Sequence, residues 1–505
     1  MPGGMGSNAD HWNAAHMECS GRRIGKKTLQ WSARVAARCA CIVTTVCLLC
    51  AAEKAFGTLQ NIEIGGSLQI HAHYYTAFFE PEPVIRIPET FTQGRPLGPF
   101  GTESEVRGLR RGGDGVAYIE QRTTLHLRAD FTGDVAAFVE FDSIHDWGED
   151  FRSDYLGGRD WRADSSDDVE IYQAYLEVTQ FFRAPLRLRI GRQELYFGSG
   201  WLVSNNPVFE PMTYLSFDAV RLTWEQGVFC VDVFWSKLAE RWRGLAKGDV
   251  DFSGIYATCA PLEALQVDAY YFFLLDGERP RDTSGPLLQE WVERLRGLDN
   301  YPKAKIHTVG VRLAGEWRGL DYEAEAAYQW GDAATAGAGF APHGYGDPRA
   351  RYDNWAAQAT LGYTFDIRLE PRIYISGIYY GGEDRRNISF WDWINPFHRP
   401  RASISFNRLF SDWKDDIFFD SSALSNVWKF KTGASLNITE SLEAALDLTY
   451  TGVVDAFDTP VLRRVGPYRA PIAFFPFVTS KGAKDLGFEV CLSLGYDYSE
   501  SLRFE

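Results

Sequence analysis

Residues 486–498 read LGFEVCLSLGYDY, and apolar residues alternate with small or polar ones along the whole stretch. Side chains of a β-strand point alternately to opposite faces, so this period of two predicts a strand with one apolar and one polar face. A strand of a soluble sandwich usually has about five or six residues, whereas a tilted strand that crosses a bilayer needs about 9 to 11. The apolar face ends in Tyr496 and Tyr498, as an interfacial aromatic girdle requires. The stretch therefore has the character of a membrane-spanning strand.

The same alternation returns throughout the chain after residue 60, for example at 62–74, 122–131, 265–275 and 320–330. The mean hydropathy of −0.25 is typical of a soluble protein. A membrane β-barrel, however, interleaves polar and apolar residues and so escapes any averaged scale. The pattern predicts an all-β fold.

The connections between these runs differ sharply in length. Short joins such as 132–134 and 317–319 have the size and composition of hairpin turns. They alternate with long polar segments such as 77–115 and 381–426. Short periplasmic turns and long extracellular loops distinguish an outer-membrane barrel, whereas no repeat of about 20 to 50 residues supports a propeller or solenoid. We therefore expect one large antiparallel transmembrane β-barrel.

Counting the alternating runs gives 17 strands, the last of which has barely begun at Glu505. Bacterial single-chain barrels contain an even number of strands. We therefore expect a barrel of about 18 strands that is truncated at the C-terminus and lacks its closing strand. Alternatively, the weak alternation at 401–412 contributes a strand within the seventh long loop.

The N-terminal segment is typical of a targeting sequence. Six Lys and Arg residues between 22 and 38 precede an uncharged, largely apolar run at 39–52. This run is too short for a spanning helix and fits the apolar region of a signal peptide. We predict a cleavable signal peptide at 1–55 and an outer-membrane barrel at 56–505; the alternative for the first segment is a buried helix.

Charge argues against nucleic acid as a partner. The chain has 67 acidic and 52 basic residues and a net charge of −15, whereas nucleic-acid binders normally present a basic face.

Two neighbouring motifs carry a family resemblance. The stretch LRIGRQEL at 188–195, followed by FDAVRL at 217–222, resembles the bacterial alginate-export outer-membrane family, and DLGFE at 485–489 is similar to a late strand of that family. The resemblance implies an 18-stranded barrel whose lumen has a basic constriction and passes an anionic uronate polysaccharide. The motif positions are Gly191, Arg192, Gln193, Phe217, Asp218 and Arg221.

Assigning the polar face of each strand to the lumen places a set of cations inside the barrel. These cations either line the transport path or pair with carboxylates of the same face and stiffen the wall, and the abundance of such carboxylates favours pairing. Arg192 breaks the alternation set by Leu188 and Ile190, so either a bulge at Gly191 turns it inward or it leaves the wall at the rim. The candidates for the lumen path are Arg122, Arg128, Arg189, Arg192, Arg221, Arg312, Arg372 and Lys429.

These observations predict a passive outer-membrane channel for a polar, anionic solute, an alginate-like polysaccharide or a smaller molecule. The expected partners are outer-membrane lipid, the transported solute and periplasmic export machinery, with no nucleic acid and no cofactor. An enzyme using His145 and Asp146, or a plugged barrel acting as an adhesin, are the alternatives. His71 and His73 share a strand face, but the sequence offers no third ligand, so no metal site is predicted.

Overall fold

The computed structural model describes only part of the chain, and all structural statements below refer to that part. It comprises residues 58–75, 79–81, 85–86, 105–106, 109–111, 116–147, 153–154, 159–160, 169–205, 214–239, 249–262, 264–277, 304–332, 351–382, 403–411, 425–455, 459–460, 462–465, 468–471, 479–480 and 484–505. The predicted signal peptide at 1–55 lies outside these residues.

Seventeen antiparallel strands form one sheet. They are β1 Leu59–Tyr75, β2 Val116–Phe131, β3 Val135–Asp146, β4 Glu170–Val178, β5 Leu186–Gln193, β6 Phe217–Gln226, β7 Phe229–Ala239, β8 Val250–Leu262, β9 Leu265–Asp276, β10 Ala304–Trp317, β11 Leu320–Asp332, β12 Arg351–Thr364, β13 Arg372–Tyr380, β14 Val427–Thr439, β15 Leu442–Val453, β16 Asp485–Ser499 and β17 Leu502–Phe504. The predicted antiparallel β-barrel and the strand count of 17 are confirmed.

Each strand pairs with the next one along the chain, from β1 with β2 to β16 with β17. Tight turns join every second pair, such as the two residues between β10 and β11. There Arg318 and Gly319 both have positive φ, the conformation that a two-residue hairpin requires. Long connections lie at the opposite end of the strands, which we call the long-loop end.

The outer face of the wall is apolar and accessible. On β16, Phe488, Val490 and Leu492 are 72%, 68% and 69% exposed, while the alternate residues, such as Glu489 and Cys491, are less exposed. Such a surface is stable only against hydrocarbon, since large exposed apolar patches are rare on soluble monomers. The alternation read from the sequence therefore orients the strands correctly, with the apolar side outward.

The segment predicted as an alternative strand at 401–412 contains a short one, Ser403–Ile404, which pairs in parallel with the start of β12. The residues that follow it turn towards the barrel interior, as described below. One short 3₁₀ turn, Phe181–Arg183, connects β4 to β5. No helix of the described segments is both long and apolar enough to cross a membrane.

Candidate functional site: a charged lumen and an aromatic plug

The lumen cations pair with carboxylates on neighbouring strands. Arg221 on β6 donates from Nε to Asp232 Oδ1 on β7 at 2.7 Å. Arg189 on β5 donates from Nε to Glu177 Oε2 on β4 at 2.9 Å, and its guanidinium lies 4.3 Å from the ring centre of Tyr175. Both pairs follow from alternation, because residues of one parity on adjacent strands share a face.

Arg312 on β10 makes the most extensive set of contacts. Its Nη1 donates to Asp268 on β9 at 2.9 Å, while Nε and Nη2 donate to the two oxygens of Glu323 on β11, each at 3.1 Å. The Tyr256 hydroxyl donates a further hydrogen bond to Asp268 at 2.8 Å. The Asp268 side chain is fully buried, so this cation is the main compensation for a charge removed from water.

Arg372 binds both oxygens of Asp321 and stacks on Tyr374. Its Nε and Nη2 lie 3.0 and 2.6 Å from the Asp321 oxygens, and its guanidinium is 4.7 Å from the Tyr374 ring centre. This two-point arrangement suits the planar fork of arginine and would not be reproduced by lysine.

The first strands carry two further predicted cations. Arg122 on β2 is 5% exposed and donates to Asp142 at 3.3 Å, with its guanidinium 3.6 Å from the Tyr214 ring centre. Arg128 donates to Asp130 at 3.0 Å. Lys429, on β14, is also buried on the inner face.

Arg192 differs from the other candidates because it lies outside the lumen. It continues the outward parity of Ile190 and, with Asp218 directly opposite on β6, forms an ion pair at the long-loop rim. Both side chains are about half exposed. Of the two alternatives for Arg192, the structure shows the second: the side chain leaves the wall at the rim.

Gly191 has a φ of +129° without a shift in register, and a β-carbon there would come within 2.3 Å of the Ala174 carbonyl oxygen.

The other motif residues have structural contacts. Gln193 is fully buried and donates from Nε2 to the Ala219 carbonyl at 2.9 Å, which ties the end of β5 to β6. Phe217, fully buried, points into the barrel. The motif that carries the family resemblance therefore marks the point where the chain leaves β5, enters the lumen and returns in β6.

A segment after β5, residues 194–205, packs inside the barrel. Phe197 stacks on Phe234 and Tyr256 and packs at a tilt against Phe272, on three successive strands, with ring centres 5.2, 5.1 and 5.9 Å apart. Trp201 is completely buried. Gly198 forms the turn between them with a φ of +59°, and a β-carbon there would meet the Tyr256 hydroxyl at 2.7 Å.

A second segment, residues 405–411, meets the first. The Ser204 amide donates to the Phe410 carbonyl and the Phe410 amide donates to the Leu202 carbonyl, both at 2.9 Å. Trp201 stacks on Phe406 at 6.3 Å. We call segments 194–205 and 405–411 together the lumen plug. It forms one apolar cluster with inward residues at the long-loop half of the wall.

The lumen plug was not predicted from the sequence. Two signals in the sequence point to it: the apolar residues of 195–203 between two strands, and aromatic residues such as Tyr270 and Phe272 on the polar parity of β9. Arg408 was also missed; it is 5% exposed and lies 4.7 Å from the Tyr380 ring centre.

The enzymatic alternative gains little from the geometry. His145 lies near the end of β3 opposite Gln121, and its Nδ1 is buried with no hydrogen-bond partner among the described residues. Among the described side chains, therefore, none orients this ring through Nδ1 as a general base requires, and the Asp146 side chain lies outside them.

A lipid-facing wall of alternating strands around a polar, charged interior defines an outer-membrane β-barrel of the channel class. The chain belongs to the alginate export family, whose model matches residues 101–451. This match confirms the family expected from the GRQ and FDAVRL motifs. It also confirms the cell outer membrane as the location of the protein.

Several solved porins share low sequence identity with the chain. An anion-selective porin from Comamonas acidovorans is 10% identical over 86% of this chain and 97% of its own, with a TM-score of 0.37. OccK11 (OpdR) of Pseudomonas aeruginosa is 9% identical over 87% and 97%, with a TM-score of 0.43. OmpF of Salmonella typhi, solved with daunomycin, is 10% identical over 86% and 100%, with a TM-score of 0.38. No curated protein matches the chain significantly.

Proposed function

We propose that this channel passively conducts an anionic polysaccharide, such as an alginate-like uronate chain, from the periplasm to the cell surface. The observation that carries the proposal is a set of arginines on the lumen face, each held by one or two carboxylates of nearby strands: Arg189, Arg221, Arg312 and Arg372. Substrate supply by a periplasmic assembly would drive transport, and the protein itself would make no bond.

Pairing suits conduction better than it suits tight binding. A guanidinium has five N–H donors, so neither the single carboxylate at Arg189, Arg221 and Arg372 nor the two at Arg312 use all of them. A uronate carboxylate can displace or share the wall carboxylate at one arginine and then at the next. Conduction requires sites that bind strongly enough to admit the solute and weakly enough to release it. Wall carboxylates that compete for each arginine provide that weakening.

Planar-bilayer conductance with oligouronate tests the proposal. We expect current through the wild-type channel to be blocked by oligouronate, and Arg221→Ala to weaken the block several-fold, because one of the lumen cations is lost. Arg192→Ala is the matched control, since Arg192 faces outward and should leave the block unchanged. An oligouronate block that is absent, or identical in the wild type and Arg221→Ala, contradicts the proposal.

The second candidate, a plugged barrel that acts as a surface adhesin, is favoured by the lumen plug alone. Trp201, Phe406 and Phe410 fill part of the interior with apolar side chains. This candidate predicts that the wild-type protein shows no single-channel conductance at any voltage. A measurable wild-type conductance excludes it.

A further inference from the structure

We propose that His71, His73 and Glu120 form a binding site for a divalent transition-metal ion, Zn²⁺ first among them, on the lumen face of the first strand pair. One ligand atom from each side chain lies within 4.8 Å of the other two. The inference is independent of the solute that the channel carries.

Register explains why three donors meet here. His71 and His73 are two residues apart on β1 and therefore share a face, while Glu120 on β2 lies directly opposite His71. The two strands are hydrogen-bonded neighbours, so the Glu120 carboxylate lies within 4.8 Å of a ring nitrogen of each imidazole. This register supplies the third ligand that the sequence did not offer.

The arrangement is nearly that of a metal site. His73 Nε2 lies 3.0 Å from Glu120 Oε2. Zn²⁺ binds histidine nitrogen and carboxylate oxygen at about 2.0–2.2 Å, which in a tetrahedral site places the ligand atoms about 3.3 Å apart. His71 is exposed, so a change of its rotamer can close the remaining gap without disturbing the backbone.

Neighbouring groups orient the His73 ring, and the nearest arginine on the same face of β2 pairs with a carboxylate other than Glu120. The ring of Tyr118, opposite His73 on β2, stacks on the His73 imidazole with centres 4.6 Å apart and planes 16° from parallel. Stacking restrains the plane of the His73 ring. Arg122, the next residue on the same face of β2, is bonded to Asp142.

The donor set indicates the class of ion. Two imidazoles and one carboxylate favour Zn²⁺ and its first-row neighbours over Ca²⁺ or Mg²⁺, which prefer oxygen ligands. Three protein ligands leave a coordination position open, and on the lumen face that position is accessible to water or to a carboxylate of a passing solute. Bound metal would also link β1 to β2, across the long connection between them.

Calorimetric titration of Zn²⁺ into the full chain in detergent, without an oligohistidine tag, tests the site. We expect one saturable Zn²⁺ per chain that also raises the thermal unfolding midpoint. His71→Ala, His73→Ala and Glu120→Gln should each weaken this binding at least tenfold. His126→Ala is the matched control, because His126 is a histidine on the same face of β2 that stacks on Phe138 outside the cluster, and it should bind Zn²⁺ as the wild type does.

Heat-modifiable migration in gel electrophoresis should show each variant to be folded, and Glu120→Gln keeps the shape of the side chain if an alanine variant fails to fold. The proposal is overturned if the wild type shows no saturable Zn²⁺ binding, or if folded His73→Ala and Glu120→Gln bind with wild-type affinity. In that case the contact between these residues is only a hydrogen bond. Conductance does not enter the test, so its result is separate from that for the proposed function.

Discussion

The side-chain amide of Gln329 on β11 holds the backbone of Asn407 at both ends: Nε2 donates to the Asn407 carbonyl oxygen and Oε1 accepts from the Asn407 amide, each at 2.8 Å. These two hydrogen bonds attach the second segment of the lumen plug to the wall, and they resemble the pair that two residues of adjacent strands exchange. Gln329 also donates to Thr308 at 3.1 Å and is fully buried, so the amide is fixed in orientation.

Gln329→Ala should release this attachment. The lost hydrogen bonds leave the Asn407 peptide groups unpaired, which costs roughly 2 kcal/mol and shifts the plug towards an undocked state by more than tenfold. We expect a higher mean single-channel conductance in planar bilayers. Gln358→Ala is the control, because Gln358 is a buried glutamine on β12 that bonds to Glu323 rather than to the plug; equal conductance in both variants would refute the attachment.

Trp201→Ala should loosen the plug from within. Trp201 is completely buried against Tyr380 and Phe406, and truncation of a buried Trp costs about 3–5 kcal/mol. We expect increased current noise and conductance with the barrel still folded in gel electrophoresis. Trp235→Ala removes an exposed, outward-facing tryptophan and should not change the current; a Trp201→Ala channel indistinguishable from wild type would show that the plug does not limit flow.

Arg312→Ala should be far more damaging than Arg192→Ala. Removing Arg312 leaves the buried Asp268 without its cation, a loss of about 3–5 kcal/mol. Arg192 and Asp218 form a half-exposed rim pair, for which about 0–1 kcal/mol is usual. Urea unfolding of the refolded protein in lipid measures both. Similar midpoints for the two variants would argue against a desolvated Asp268.

Leu492→Arg tests the orientation of the wall. Leu492 is 69% exposed on the outer face, and an arginine facing mid-bilayer lipid costs about 2–4 kcal/mol. Ser493→Arg, one residue further on β16, points to the lumen and should be tolerated. The folded fraction after refolding into vesicles reports both, and the opposite ranking would invert our assignment of the faces.

Strand positions were predictable because each strand satisfies a local rule. The alternation at 62–74 and the turn at 317–319 reappear as β1 and as the connection of β10 to β11, since lipid on one side and water on the other impose period two regardless of neighbours. The register through Gly191 contains no bulge, so Arg192 points outward like Ile190, two residues before it.

The interior was not predictable in the same way. Phe272 lies on the polar parity of β9, and its ring packs against Phe197, a residue 75 positions earlier in a connecting segment. Likewise, Glu120 reaches His73 across a connection of about 40 residues. Such contacts depend on register and on how a connection folds back, neither of which leaves a periodic signal.

Both segments of the lumen plug belong to connections at the long-loop end of the same chain. One follows β5 and the other precedes β14. The obstruction is thus intramolecular, and the described hydrogen bonds that hold it lie within one chain. Permeation in a membrane holding many copies should therefore scale linearly with their number, each opening as a statistically independent event.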